Sequence, residues 1–186
     1  MMQLYEIALI NRILEGDIRG YTILVEKYKD LAFTIAYRLL SNREDAEEVV
    51  QDAFVKAYRS LSGFRKDSRF STWLFRIVYN ASISKLRGKK TGLRSLDEQP
   101  ALQDNLYHRE YEEDTAEEKK ILLERAMQQL SEEERTLITL FYMHESSVEE
   151  IHSITGLTKS NIKVKLFRAR KKLQELVGFV SEKAFI

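Results

Sequence analysis

Apolar residues recur at steps of three and four along much of the chain, which is the spacing of one face of an α-helix. The clearest stripe runs from Ile18 to Leu39, after a Gly16-Asp17 pair that predicts a stop and a cap. A second runs from Val49 to Leu61 after a capping-box pattern at Ser41–Glu44, and a third follows Ser71 as far as Gly88. The pattern predicts three helices that share one core.

Shorter helical stripes follow in the carboxyl-terminal part. One spans Ile121–Leu130, and Ser131 begins a capping box before the next. A third box at Ser146–Glu149 opens a short helix that should end near Gly156, and Thr158 caps a long basic helix to about Val177. We therefore predict an all-α protein with two small helical domains, at residues 1–92 and 116–180, joined by a flexible acidic linker at residues 93–115.

Composition agrees with this fold class and excludes several others. The 186 residues include only 7 Gly and 1 Pro, too few turn residues for an all-β sandwich, and no Cys, which excludes disulfides and Cys-ligated metal sites. The first residues lack the basic and apolar regions of a signal peptide, and no window reaches 18 uncharged apolar residues. We expect a cytoplasmic protein without direct membrane insertion.

Charge is segregated although the formal net charge is only +1. Residues 61–95 hold nine Lys or Arg against Asp67, residues 97–118 hold nine acids against Arg109, and residues 159–172 hold seven basic residues and no acid. A charged run is usually a solvated helix face. Two basic blocks that coincide with the motifs below instead favour a polyanionic partner.

The carboxyl-terminal pattern is that of a helix-turn-helix. The short helix VEEIHSI, the turn TGLT and the basic helix KSNIKVKLFRARKKLQEL follow one another. The spacing predicts that the two helices pack together through Ile151, Ile154, Leu157, Ile162 and Leu166. The second helix of this motif can enter a DNA major groove. A helical hairpin with a soluble basic face is the simpler alternative.

The stretch FRKDSRFSTWLFRIVYN combines basic and aromatic residues, a composition typical of proteins that stack unpaired bases. Trp73, Arg76, Asn80, Ser84 and Arg87 follow steps of three and four, so they share one helix face. Burial in the core is an alternative explanation for each aromatic ring.

These segments resemble a known family. The run DAEEVVQDAFVKAYRSLSGFRKDSRFSTWLFRIVYN resembles region 2 of the extracytoplasmic-function (ECF, group 4) bacterial RNA polymerase sigma factors, and LSEEERTLITLFYMHESSVEEIHSITGLTKSNIKVKLFRARKKL resembles their region 4. The resemblance implies a transcription initiation factor that binds core RNA polymerase, recognises promoters and melts DNA. It implies no enzymatic activity, no cofactor and no metal.

The resemblance also assigns three sets of residues. The acidic helix would dock on the β′ clamp helices of the polymerase through Asp45, Glu48, Gln51 and Asp52. The loop and the third helix would bind the melted minus-ten element through Phe64, Arg65, Ser68, Phe70, Trp73, Arg76, Asn80, Lys85 and Arg87. The basic helix of region 4 would read the minus-thirty-five element through Lys159, Ser160, Asn161, Lys163, Lys165 and Arg168.

The resemblance implies three partners. They are core polymerase, contacted at the β′ clamp helices and the β flap, promoter DNA, and an anti-sigma factor, for which a membrane anchor is one option. The chain departs from the family at His152, where a small Ala is usual, and at Asn161, Val164, Lys165 and Phe167 of the reading helix.

Two other functions remain open. The main alternative is a helix-turn-helix transcriptional regulator that is not a polymerase subunit, and the second is a helical adaptor for acidic proteins. Phosphate-loop, dinucleotide and hydrolase motifs are absent from the sequence.

Overall fold

A computed structural model describes residues 2–92 and 116–177, which form helices joined by short turns. The acidic linker predicted at residues 93–115 lies outside the described residues. The helices are α1 Met2–Leu14, α2 Arg19–Leu40, α3 Arg43–Arg59, α4 Phe70–Gly92, α5 Ala116–Gln128, α6 Glu132–Ile138, α7 Val148–Thr155 and α8 Lys159–Val177. The all-α prediction is confirmed.

In the amino-terminal module, α2, α3 and α4 pack around one apolar core, as the three stripes predict. Helix α1, which the apolar stripes did not predict, buries Leu9, Ile10 and Ile13 against α2. The two helices approach closely at Gly20, where an added Cβ would lie 2.9 Å from the Cγ1 of Ile13. A larger residue at this position would force the Ile13 side chain to shift.

Several predicted caps differ from the observed ones. The α3 cap is Asn42, whose side chain accepts a hydrogen bond from the Asp45 backbone, whereas Ser41 has a left-handed backbone that ends α2. Asp17 does not cap α2; its carboxylate pairs with Arg12. Ser71 does not cap α4, which begins one residue earlier. The hydroxyls of Ser41 and Ser71 instead contact the side chains of Arg135 and His144 in the carboxyl-terminal module.

The carboxyl-terminal module consists of α5–α8 with a π-helical turn at Thr139–Met143. Complete capping boxes form at Ser131 with Glu134 and at Ser147 with Glu150, the second one residue later than predicted. Helix α7 ends at Gly156, as predicted, because this glycine adopts a left-handed backbone with φ of 75°.

The two modules touch each other in the structure. Helix α7 lies against α4, and α6 lies against α2. The guanidinium of Arg38 in α2 also forms two 2.7 Å hydrogen bonds to the carboxylate of Glu124 in α5. Within the described residues, no helix combines the length and the apolar character needed to cross a bilayer.

Candidate nucleic-acid interface

Helix α4 presents a polar line to solvent. Arg76, Asn80, Ser84 and Arg87 are exposed and follow steps of four, four and three, while Leu74 and Val78 face the core. Two guanidinium groups, one carboxamide and one hydroxyl therefore share one face. Such a surface can hold phosphates electrostatically and hydrogen-bond to the edge of an unpaired base.

The aromatic residues of the loop and of α4 form a packed cluster. The rings of Phe64 and Phe70 lie with their centroids 5.3 Å and 5.8 Å from Trp73, and both phenylalanines are buried. In this conformation neither phenylalanine is open to a nucleic-acid base. Trp73, which is half-buried, is the one of these three rings with solvent access. The cluster therefore shapes the loop, and among its rings Trp73 is the candidate for stacking.

The loop before α4 carries its cations outward. Arg65 is exposed and lies 2.9 Å from the carboxylate of Asp67, and Ser68 is half-buried beside it. Lys66 adopts a left-handed backbone with φ of 63°, and its ammonium donates a 2.7 Å hydrogen bond to the side chain of Asn11 in α1. This contact fixes the loop to α1, and Arg65 stays exposed in the loop that leads into α4.

Asp45 of the predicted polymerase-docking set and Lys85 of the predicted minus-ten set form an ion pair with each other. The Asp45 carboxylate pairs with the ammonium groups of Lys85 and Lys89, and the Glu48 carboxylate lies 2.6 Å from Lys85. The hydrogen bond from Lys89, followed by that from Lys85, holds the pKa of Asp45 below its usual range. These pairs join α3 to α4, and Asp45 is only 14% exposed. Of the predicted polymerase-docking set, Glu48, Gln51 and Asp52 remain exposed.

The structure adds an apolar component to the exposed face of α3. Val55 and Tyr58 are 48% and 40% exposed. Val55 lies three and four residues beyond Asp52 and Gln51, and Tyr58 lies three residues beyond Val55, so all four share one helix face. Tyr58 belongs to the apolar stripe from Val49 to Leu61, which predicts that it faces the core. Its ring instead packs edge-on against Tyr21 at 5.0 Å and keeps one side in solvent. Val55 lies outside the apolar stripe that faces the core. An apolar residue on the outer face of a helix is a sequence signal that could have predicted this patch.

The helix-turn-helix forms from α7 and α8 as its spacing predicts. Ile151, Ile154, Ile162 and Leu166 are buried, and Leu157 of the turn is half-buried against the same core. The departure at His152 does not disturb the packing, since its Nδ1 lies 2.7 Å from the backbone carbonyl oxygen of Leu157. A carbonyl only accepts hydrogen bonds, so Nδ1 must carry the proton and the ring ties α7 to the turn.

Helix α8 presents its predicted reading residues unequally. Ser160, Asn161, Lys163 and Arg168 are exposed. Lys159 is also exposed, but its ammonium lies 2.9 Å from the Glu149 carboxylate, and the ammonium of the half-buried Lys165 lies 2.6 Å from the Glu133 carboxylate. The hydrogen bond from Lys159 lowers the pKa of Glu149. Lys159 and Lys165 would have to leave these carboxylates to contact DNA.

Comparison with known families assigns both modules. A family model described as Sigma-70 region 2 matches residues 24–91, and a model described as Sigma-70, region 4 matches residues 120–173. The first match contains the exposed face of α4, and the second contains the helix-turn-helix.

Individual relatives match over nearly the whole chain. The ECF RNA polymerase sigma factor SigW of Bacillus subtilis is 31% identical over 175 residues, which is 89% of this chain and 93% of that protein. The ECF RNA polymerase sigma-E factor of Escherichia coli K12 is 31% identical over 183 residues, 94% of this chain and 95% of that protein.

Two solved structures share the fold. The sigma factor RpoE of Bartonella quintana, in complex with the anti-sigma factor NepR, matches with a TM-score of 0.70 at 24% identity, over 88% of this chain and 99% of that one. CnrH, in complex with the cytosolic domain of CnrY, matches with a TM-score of 0.61 at 23% identity, over 94% of this chain and 97% of that one.

Proposed function

The chain belongs to the extracytoplasmic-function RNA polymerase sigma factors, and we propose that its two modules bind different parts of the polymerase–promoter complex through their exposed faces. As a member of this family it is a transcription initiation factor that binds core RNA polymerase and directs promoter-specific initiation. We assign polymerase docking and minus-ten binding to residues 1–92, and minus-thirty-five reading to residues 116–180.

The observation that carries this assignment is the pair of exposed basic faces on separate modules. The first is the line Arg76, Asn80, Ser84 and Arg87 of α4, and the second is Ser160, Asn161, Lys163 and Arg168 of α8. Trp73, three residues before Arg76 on α4, extends the first face, and the exposed Arg65 adds a cation in the loop that precedes α4. A protein that must hold a melted strand and read a duplex needs two surfaces of this kind.

The exposed part of α3 is the proposed polymerase surface. Glu48, Gln51 and Asp52 supply the polar groups, and the adjoining Val55 and Tyr58 supply apolar area. A patch of this mixed composition suits a specific protein interface better than charge alone would. We assign Asp45 and Lys85 to positioning, because each holds the other in place between α3 and α4.

The remaining properties follow from this role. We propose that the protein acts in the cytoplasm, has no catalytic site of its own and leaves phosphodiester chemistry to the polymerase. We also propose an anti-sigma partner, since the two solved structures compared above are complexes with a second protein, which for RpoE is the anti-sigma factor NepR. That partner would be identified as a protein that copurifies with the tagged factor from its own cells and inhibits its transcription when purified.

Reconstituted transcription tests the function directly. The purified protein is mixed with bacterial core polymerase and fragmented genomic DNA, and the five-prime ends of the transcripts are sequenced. Discrete start sites that share two upstream elements are expected. Duplex binding without any factor-dependent transcript, from folded protein and active core, would favour the helix-turn-helix regulator instead.

A further inference from the structure

Two apolar side chains stand on the outward face of α8. Val164 is 46% exposed and Phe167 is 63% exposed, and their separation of three residues places them side by side on the helix surface. The core of the module does not use them, because α8 contributes Ile162, Leu166 and Ala169 to that core from its opposite face. The pair is therefore an apolar patch on the helix that reads DNA.

Cations flank this patch on both sides. Lys163 precedes Val164, while Arg168 and Lys171 follow Phe167, and all three are exposed. Duplex DNA offers a partner for each kind of side chain. The phosphates that line the groove would contact the cations, and the bases on its floor would contact the apolar pair.

The chemistry of the major groove identifies the group that the pair would contact. Base edges there present hydrogen-bond donors and acceptors, and the apolar group among them is the C5 methyl of thymine. Valine and phenylalanine side chains have no hydrogen-bonding atoms with which to read the other groups. When the methyl packs against these two side chains, the apolar surfaces on both sides are removed from water, which favours binding.

We propose that Val164 and Phe167 make this protein select thymine methyl groups in the upstream promoter element. The inference rests on the proposed function, since it assumes that α8 enters the major groove of that element. Asn161 and Lys163 supply hydrogen bonds to neighbouring base edges or phosphates, and the apolar pair supplies discrimination for A·T pairs in one orientation.

Replacement of thymine by deoxyuridine tests the proposal, because it removes the methyl and keeps the O4 acceptor and the base pairing. The probe is the promoter identified by transcript mapping, with its upstream element synthesised with either base. Holoenzyme that contains the full chain should bind the deoxyuridine element about three- to fivefold more weakly per contacted methyl, the loss for one buried methyl-sized group.

Variants separate this contact from general binding. Val164→Ala and Phe167→Ala should each reduce the preference for thymine, and the double variant should bind both elements equally, at the affinity of the unsubstituted protein for deoxyuridine or below. Phe167→Leu should retain part of the preference for thymine, because it stays apolar. Arg168→Ala is the matched control, expected to weaken both elements and preserve their ratio. Thermal unfolding of each variant shows that the module is intact.

The outcomes distinguish this inference from the proposed function. Equal affinity of the unsubstituted protein for thymine and deoxyuridine, with a scrambled element still bound poorly, overturns the inference and leaves the function. An upstream element of G·C pairs alone also overturns it, as would loss of core-polymerase binding in Phe167→Ala, which would make the patch a polymerase contact. Binding that ignores the upstream element altogether contradicts the proposed function.

Discussion

The imidazole Nε2 of His144 lies 3.1 Å from the hydroxyl oxygen of Ser71 and joins the two modules. The same imidazole packs edge-on against Phe75 with ring centroids 4.8 Å apart. Nearby, the Glu150 carboxylate lies 3.3 Å from the guanidinium of Arg69. The helix-turn-helix thus rests on the start of α4 through one partly buried histidine, one ring contact and one ion pair.

The first prediction is that this contact separates on promoter DNA. The minus-ten and minus-thirty-five elements are named for positions about 25 base pairs apart, or about 85 Å along the duplex. Packed helices such as α4 and α7 lie only about 8–10 Å apart. The two reading faces therefore cannot reach both elements while α7 stays on α4.

Energy transfer between two dyes measures this separation. The sequence has no Cys, so Ser62→Cys and Ser153→Cys, both at exposed positions, would label each module once. High transfer is expected in the free protein and low transfer in the promoter complex. Unchanged transfer in a complex that makes transcripts would contradict the prediction.

The second prediction is that acid weakens the contact between modules. Burial, followed by the charge of Arg69, lowers the pKa of His144, and Glu150, Glu145 and Glu6 oppose this only in part. The separated state therefore takes up a proton near the ordinary histidine pKa of about 6.5, whereas the closed state resists it. Closure should be complete above that pH and decline as pH falls below it.

The dye pair measures this as a fall in transfer between about pH 7.5 and pH 5.5. His144→Gln is the matched control, because glutamine retains hydrogen-bonding groups for Ser71 but does not titrate in this range. The same pH dependence in His144→Gln would exclude the histidine as its cause. Glu149 and Glu150, whose pKa values are lowered, titrate below the window.

The third prediction concerns the cap of α7. Ser147→Ala removes the hydroxyl that accepts a hydrogen bond from the Glu150 backbone, which should cost about 1 kcal/mol. For a chain of this size the melting temperature should fall by about 2–4 °C. Ser153→Ala, inside the same helix, is the control and should change it less. Equal melting temperatures for both variants would rule out a stabilising cap.

The fourth prediction separates strand capture from initial binding. Asn80→Ala removes an exposed carboxamide in the middle of the α4 face without touching the core. It should reduce open-complex formation about tenfold or more and leave closed-complex affinity nearly unchanged, because the proposed partner is an unpaired base. Permanganate footprinting and gel-shift affinity give the two quantities. An equal loss in both would place Asn80 outside the melted-strand site.

The fifth prediction compares two cations of α8. Arg168 is exposed, whereas Lys165 is only 27% exposed and pairs with Glu133. Arg168→Ala should make the salt dependence of upstream-element binding shallower by about one ion, as expected for a lost phosphate contact. Lys165→Ala should change it less, because its charge is already paired. The reverse order would show that Lys165 leaves Glu133 on DNA.

Local patterns in the sequence predicted much of the fold. Helices α2, α3, α4, α7 and α8 follow from apolar spacing, and the box at Ser131 and the stop at Gly156 follow from residues within four positions of one another. Such interactions are local, so a linear pattern contains them. Helix α1 was missed although Leu9, Ile10 and Ile13 have helical spacing, because it also contains apolar residues that stay exposed, Leu4, Tyr5 and Leu14, and these obscure the stripe.

The sequence by itself determined the helical class, the helix-turn-helix and the residue types that suit nucleic acid, because these depend on neighbours along the chain. Only the tertiary structure decided which of those residues are available. It buries Phe64 and Phe70, pairs Asp45 with Lys85, and leaves Val164 and Phe167 exposed. It also joins His144 to Ser71 across 73 residues. Such contacts arise from packing between helices, which spacing within one helix does not contain.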